Sequence, residues 1–193
     1  MLLLIACAVY MVYVIKDRKT LNDQIIRLHV VGASDTDEDQ NTKIMVRDAI
    51  LDRLRELTEG ATSKDQVQEI LSQNLEILQD TANQVLQQAG IEQCAYVTLQ
   101  KEAFETRVYD TFSLPAGVYD SLRIVIGAGE GKNWWCVVFP DLCVPAATKE
   151  VEDVAVSAGF SENLGKTLTD EEYQIRFLLL DWLGRVENYF FHD

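Results

Sequence analysis

Hydrophobic and polar positions change period several times along the chain, and each change marks an element. Met1 to Ile15 (MLLLIACAVYMVYVI) is an unbroken apolar run with no charge, Gly or Pro, ended abruptly by Lys16, Asp17, Arg18 and Lys19. Ile25 to Val31 then alternates as a strand should, with Ile26, Leu28 and Val30 on one face and Arg27, His29 and Val31 on the other. The hydroxyls and acids of Ser34 to Gln40 supply a cap and negative charge for a helix N-terminus, predicting a helix to about Leu57. Ser63 and Gln66 have capping-box spacing, and the apolar positions from Val67 to Ala89 recur at three and four until Gly90, which predicts a second long helix.

Ala95, Val97 and Leu99 alternate with polar neighbours as a half-buried strand, which continues with less pattern to Tyr109. Leu122 to Ile126 and Trp134 to Phe139 read as two further strands. The glycine-rich stretch Gly127 to Asn133 joins them, giving a hairpin with a long loop. Residues 144–168 lack a steady period and read as a surface linker with one helical turn. Thr169 and Glu172 repeat the capping-box spacing ahead of a last helix, apolar on more than one side and expected to pack on the sheet. The pattern thus predicts an α+β fold: a small, mostly antiparallel sheet of about four strands, packed by two long helices and a C-terminal helix. Residues 1–20 form a signal peptide or membrane anchor, 21–143 the core domain, 144–168 the linker, and 169–193 a helix packing on the core.

The leading apolar run would cover about 22 Å as a helix, short of the roughly 30 Å hydrocarbon slab, so it suits a signal-peptide apolar region or a marginal anchor. Composition adds mainly exclusions. With 193 residues, 48% of them hydrophobic, the chain can bury a core, and disorder throughout is ruled out. A formal net charge of −14 argues against a nucleic-acid surface, which needs clustered Lys and Arg, and against adhesion to anionic lipid. Membrane contact is therefore expected only through the leader.

Cysteine usage agrees with export. Cys7 lies in the leader, leaving Cys94, Cys136 and Cys143. A disulfide between Cys136 and Cys143 would close a short loop worth about 2.5 kcal/mol by chain-entropy arithmetic. Cys94 is then the odd thiol, read as a small buried apolar residue. No CxxC or HxxxH spacing frames a zinc site, so neither metal nor cofactor is expected.

Three motifs invite chemistry. Gly127, Ala128, Gly129, Glu130, Gly131 and Lys132 look like a phosphate loop, but GxxxxGK[ST] is not met and a Trp-Trp strand follows where a helix is required. A flexible loop is the better reading. Asp35, Asp37 and Asp39 alternate as in a calcium loop, yet Gln40 stands at the glycine position and Val46 at that of the bidentate Glu, so helix capping accounts for the acids. His29 is the one internal histidine that could serve as a base, with Ser34, Asp35 and Asp48 as chemically acceptable partners, but no GxSxG or HExxH frames any of them. Trp134 and Trp135, adjacent on a strand, must point to opposite faces; alternation leaves open whether one is presented outward as a binding anchor or both are buried.

The strings Arg27 to Asp35 (RLHVVGASD), Glu38, Asp39, Gln40 and Lys43, Val46 to Ala49 (VRDA), Leu114 to Gly117 with Tyr119, Leu122 to Ile124, and above all Asn133 to Cys143 (NWWCVVFPDLC) resemble stage II sporulation protein R of endospore-forming bacteria. The resemblance spans residues 25–143, with Glu171 to Leu183 similar to that family's terminal helix. It implies a non-enzymatic, secreted signalling protein, exported into the space between forespore and mother cell. There such proteins activate a membrane-embedded aspartic protease that processes the pro-sigma factor of the mother cell. Gly32 and Ala33 depart from the usual Ala-Asn, Lys132 stands where His is common, and Asp141 replaces a Pro. The polar residues of the matched strings are the expected partner-binding set: Arg27, His29, Asp35, Asp39, Lys43, Arg47, Asp48, Arg123, Asn133, Trp134 and Trp135. The competing readings are an exported hydrolase using His29 and Asp35, and a membrane-anchored scaffold protein.

Overall fold

The computed structural model describes residues 2–143, 148–169 and 174–191. Its elements are α1 (Leu2–Gln24), β1 (Ile26–Val31), α2 (Asp37–Leu57), α3 (Lys64–Gln73), α4 (Leu75–Gln88), β2 (Ala95–Phe104), β3 (Arg107–Val108), β4 (Ser113–Leu114), β5 (Gly117–Ile126), β6 (Asn133–Phe139), α5 (Thr148–Ser157), α6 (Glu162–Thr169) and α7 (Gln174–Phe191). This is the expected α+β class. The chain divides into two compact units: a sheet unit of Ile26–Gln100 with Asp120–Phe139, and a terminal unit of Met1–Ile25, Lys101–Tyr119 and Pro140–Asp193.

In the sheet unit the strand order is β2-β5-β1-β6, and β1 runs parallel to β5 but antiparallel to β6. The sheet is therefore mixed, not mostly antiparallel. The hairpin expected of Leu122–Ile126 and Trp134–Phe139 does not form either: both segments are strands, but β1 lies between them. Neighbouring strands sit about 4.8 Å apart, so a loop of six residues easily reaches the next but one. Alternation reports which face a residue occupies and says nothing about which strand is its neighbour. The central position also explains why all six residues of β1 are buried, where a half-buried strand would expose every second one.

One face of the sheet carries Leu28, Val30, Leu122 and Ile124, all fully buried, and α2 packs on β1 with Val46, Ile50 and Leu54 inward. α2 begins where the acids predicted, with Thr36 as its cap accepting from the Asp39 N–H, and α4 packs beside it through Leu78, Ala82 and Leu86. The second long helix is interrupted. Asn74 leaves helical geometry (φ −119°, ψ 17°) and its side-chain amide donates to the Ile70 carbonyl at 2.7 Å, splitting the segment into α3 and α4. Asn favours such local bonds over continuing a helix. Lys64, at the start of α3, pairs with Asp120 of β5 at 2.5 Å, both side chains nearly buried.

In the terminal unit α7 packs against α1 and α6. Two helices, α5 and α6, occupy the segment expected to be a linker. Val151 and Ala155 of α5, and Leu164 and Leu168 of α6, are buried one turn apart, stripes too short to register as periodicity. Ser161 caps α6 through the Leu164 N–H at 3.1 Å. The capping-box position Glu172 lies outside the described residues. α7 leaves Ile175, Leu178, Trp182 and Tyr189 exposed along one side. No described helix is long and apolar enough to cross a membrane.

Asp181 of α7 fastens the β3–β4 segment. It accepts from Thr106 Oγ1, from the Ala116 N–H at 2.9 Å and from Arg185 Nε at 2.8 Å. Burial pushes its carboxyl upward, but the Thr106, Ala116 and Arg185 donors outweigh this and hold it below the usual carboxylate range. A carboxyl depressed in the folded state stabilises above its unfolded value, near 3.9, and that contribution disappears as pH falls through the folded value. Asp181→Ala should therefore cost about 1–3 kcal/mol at pH 7. Thermal midpoints measured from pH 7 to below 3 should show the gap between parent and variant closing only under acid.

Candidate functional site

Apart from Arg27, near the start of β1, the residues singled out by sequence gather around the C-terminal ends of the parallel neighbours β1 and β5, along β6 and on the adjoining α2. Two loops leave those ends, Gly32 to Thr36 and Gly127 to Lys132, and they are bonded to each other. The Gly32 N–H reaches the Lys132 carbonyl (3.4 Å), the Glu130 N–H the Ala33 carbonyl (3.2 Å), and the Gly131 N–H the Gly32 carbonyl (2.9 Å). The Lys132 N–H donates to Asp35 Oδ1 at 2.7 Å. A Cβ on Gly131 would collide with the Ser34 carbonyl. Here lies the physical reason for the glycine-rich string: it lets one loop lie against another. It is not a flexible loop but a bonded one, and the Gly127, Gly129, Glu130, Gly131 and Lys132 amides are taken by oxygens of the protein itself where a phosphate loop would present them to a bound anion.

Lys43 completes the junction from α2. Its Nζ donates to the Lys132 carbonyl at 2.8 Å and to Gln40 Oε1 at 2.6 Å, while Gln40 Nε2 donates to the Ser34 carbonyl at 2.7 Å. Only 5% of Lys43 is exposed. Burial lowers its pKa, Asp35 opposes that, and Arg47 and Lys132 add to it. Asp39, in the first turn of α2, accepts from Ser34 Oγ at 2.5 Å. Asp35 and Asp39 are thus engaged by protein donors.

Beside the junction, β6 presents its two indoles to opposite faces, as alternation requires. Trp135 stands opposite His29 in the register and stacks on its ring, 5.6 Å between centroids and 20° from parallel. His29 Nε2 is hydrogen-bonded to Asn133 Oδ1 at 2.9 Å. Trp134, on the other face, carries the Arg47 guanidinium 5.0 Å from its ring centroid, a cation–π contact that holds both in place. Both indoles are half-buried, so neither the presented-anchor nor the fully buried extreme holds. Arg47 also pairs with its neighbour Asp48 at 2.6 Å, and Asp48 is exposed.

The eleven expected residues therefore fall into two groups. Arg27 (0% exposed), His29 (7%) and Lys43 lie inside the unit, His29 and Lys43 bonded to Asn133 and to the loop junction. Asp35, Asp48 and Asn133 are exposed, and Asp39, Arg47, Arg123, Trp134 and Trp135 are half-exposed, so these can meet a partner. Arg123 stands next to His29 in the β1–β5 register. Gln40 and Gly131 escaped the sequence-based set; Gln40 sits in a matched string, but nothing about an amide next to three acids announces a loop staple. Cys136 and Cys143 form the expected disulfide. Cys94 differs from expectation: it is a free, exposed thiol in the turn before β2, not a small core residue.

This is an α+β protein whose distinctive feature is a hydrogen-bonded two-loop junction flanked by paired indoles, with a disulfide starting at the next residue. The family model of stage II sporulation protein R matches residues 22–149, and the chain belongs to that family. It is 29% identical over 181 residues to the stage II sporulation protein R of Bacillus subtilis (strain 168), covering 84% of this chain and 81% of that one. No solved structure matches.

Because Gly131 abuts backbone that cannot move without breaking the Glu130 and Gly131 bonds, Gly131→Ala should destabilise by roughly 1–3 kcal/mol. A chemical-denaturation midpoint unchanged by this substitution would show that the loops are not held as described.

Proposed function

We infer that this protein is an exported signalling ligand of sporulation. It acts in the space between forespore and mother cell, where it activates a membrane-embedded aspartic protease and so triggers pro-sigma factor processing. Family membership is the observation that carries the reading. The Cys136–Cys143 disulfide supports an oxidising compartment, and the apolar start of α1 supports export. The two-loop junction with Trp134, Trp135, Arg47 and Asp48 is the surface that meets the receptor. A ligand shifts a receptor only by binding its two states differently, and a surface already ordered spends less of its contact energy on becoming ordered.

The hydrolase reading gains nothing from the geometry, because Asp35 Oδ1 is occupied by the Lys132 N–H and His29 is set against Trp135 and Asn133. Purified, oxidised protein added to the outer side of membranes carrying the protease and its pro-sigma substrate should yield the shortened product. Trp134→Ala and Trp135→Ala should each reduce that yield at least about thirtyfold, the size expected of an aromatic anchor, with circular dichroism unchanged. No product with the parent protein would overturn the reading. Parental yield from the folded variants would take this edge of the sheet, with the two faces it borders, out of the signalling surface.

A further inference from the structure

The apolar leader and the first helix of the folded protein share one continuous element, and burial divides it sharply. Leu4, Ile5, Val9, Tyr10, Val12 and Tyr13 are all exposed. From Val14 the pattern reverses: Val14, Asp17, Arg18, Leu21 and Ile25 are buried, at a spacing that defines one helical face turned into the terminal unit. The charges that follow the apolar run are divided in the same way. Lys16 and Lys19 face solvent, while Asp17 and Arg18 between them face inward.

Arg18 is the centre of a closed set of contacts. Its Nη1 donates to the Tyr119 hydroxyl at 3.0 Å, its Nη2 donates to Glu187 Oε2 at 2.5 Å, and its Cζ lies 5.3 Å from the centroid of the Tyr119 ring. Tyr119 passes the bond on to the Pro115 carbonyl at 2.8 Å. Asn22, one turn further along α1, donates to the other oxygen of Glu187 at 2.9 Å, and Asp17 pairs with Arg176 of α7. Two glycines exist to admit this arrangement. A Cβ on Gly117 would occupy the Arg18 guanidinium itself, and one on Gly184 would strike the Ala116 carbonyl with Arg18 Nη2 3.1 Å away. Although burial disfavours its charge, Tyr119 and Glu187 more than compensate and raise the Arg18 pKa.

A signal peptidase cutting beyond Arg18, a few residues past the apolar run, would remove this plug. It would leave Tyr119, fully buried and aimed at an empty site, and would strip Glu187 of its α1 partners. We propose that Val14–Gln24 stays with the exported protein as its first helix, and that any cleavage of the leader falls before Val14. The proposal rests on the export reading above. It assigns the two halves of α1 different work: the exposed apolar half directs export, and the polar half completes the terminal unit.

The test uses the full chain with a C-terminal tag, produced in a sporulating endospore-former, with the exported fraction recovered and its N-terminus fixed by intact mass. The expected N-terminus lies at or before Val14, and any N-terminus beyond Val14 on active protein overturns the proposal. In parallel, Arg18→Met in the full chain should raise the rate of limited proteolysis at least tenfold, whereas Lys19→Met should leave it unchanged. Equal resistance of Arg18→Met and parent would also overturn the proposal. If no chain is recovered outside the cytoplasm, the export reading fails by itself, and the proteolysis comparison still decides whether the segment belongs to the fold.

Discussion

The insertion of β1 between β5 and β6 is the constraint on which the sheet unit depends. Once β1 occupies that place, its six residues are buried on both faces, and the connection from β5 to β6 must pass over its end. That passage brings Gly127 to Lys132 against Gly32 to Thr36, close enough that Gly131 has no room for a side chain. The same insertion puts His29 opposite Trp135 and Val30 opposite Trp134, so β1 fixes the register in which β6 displays its indoles. A slip of one residue would exchange the two indoles between faces and separate Trp134 from Arg47. Packing, loop chemistry and surface thus follow from one strand order.

Buried charge serves a second purpose. The Lys64–Asp120 pair and the Arg18–Glu187 pair tie segments far apart in sequence, and each includes a side chain with less than a tenth of its area exposed. Against well-packed apolar replacements such pairs offer little net stability, because desolvating both ions costs about what their attraction returns. Losing one partner is a different matter, since an unpaired ion remains. The pairs consequently act as specifications of register: Lys64 fixes where α3 begins against β5, and Arg18 fixes where α1 meets α7.

Much of the local structure was legible, and little of the adjacency. β1, α2 and both strands flanking the glycine loop follow from periodicity and capping residues, and the opposition of Trp134 and Trp135 follows from the period of a strand. Pairing was not legible, because a six-residue loop suits a hairpin and a jump across one strand equally well. The interruption at Asn74 was masked by Leu71, Leu75 and Leu78, whose spacing runs through it undisturbed. α5 and α6 bury stripes one turn long, below what a period can reveal. In the site, the matched strings located the junction but could not separate residues that build it, such as Lys43, from residues it presents, such as Asp48; that division is burial, and burial depends on the strand order.

Under the proposed reading, this division determines how the surface can work. Moving a receptor from almost wholly inactive to almost wholly active requires a ligand to favour the active state by about 5.5 kcal/mol. Two well-placed aromatic anchors, at about 2 kcal/mol or more each, approach that figure only if they arrive already oriented. Trp135 is held by His29 and Trp134 by Arg47, and both holders are placed by elements that meet at the loop junction. Neither indole must be ordered on contact, and little of its binding energy is lost. On that reading the buried members of the matched strings would contribute to signalling without touching the receptor, by fixing what the exposed members present.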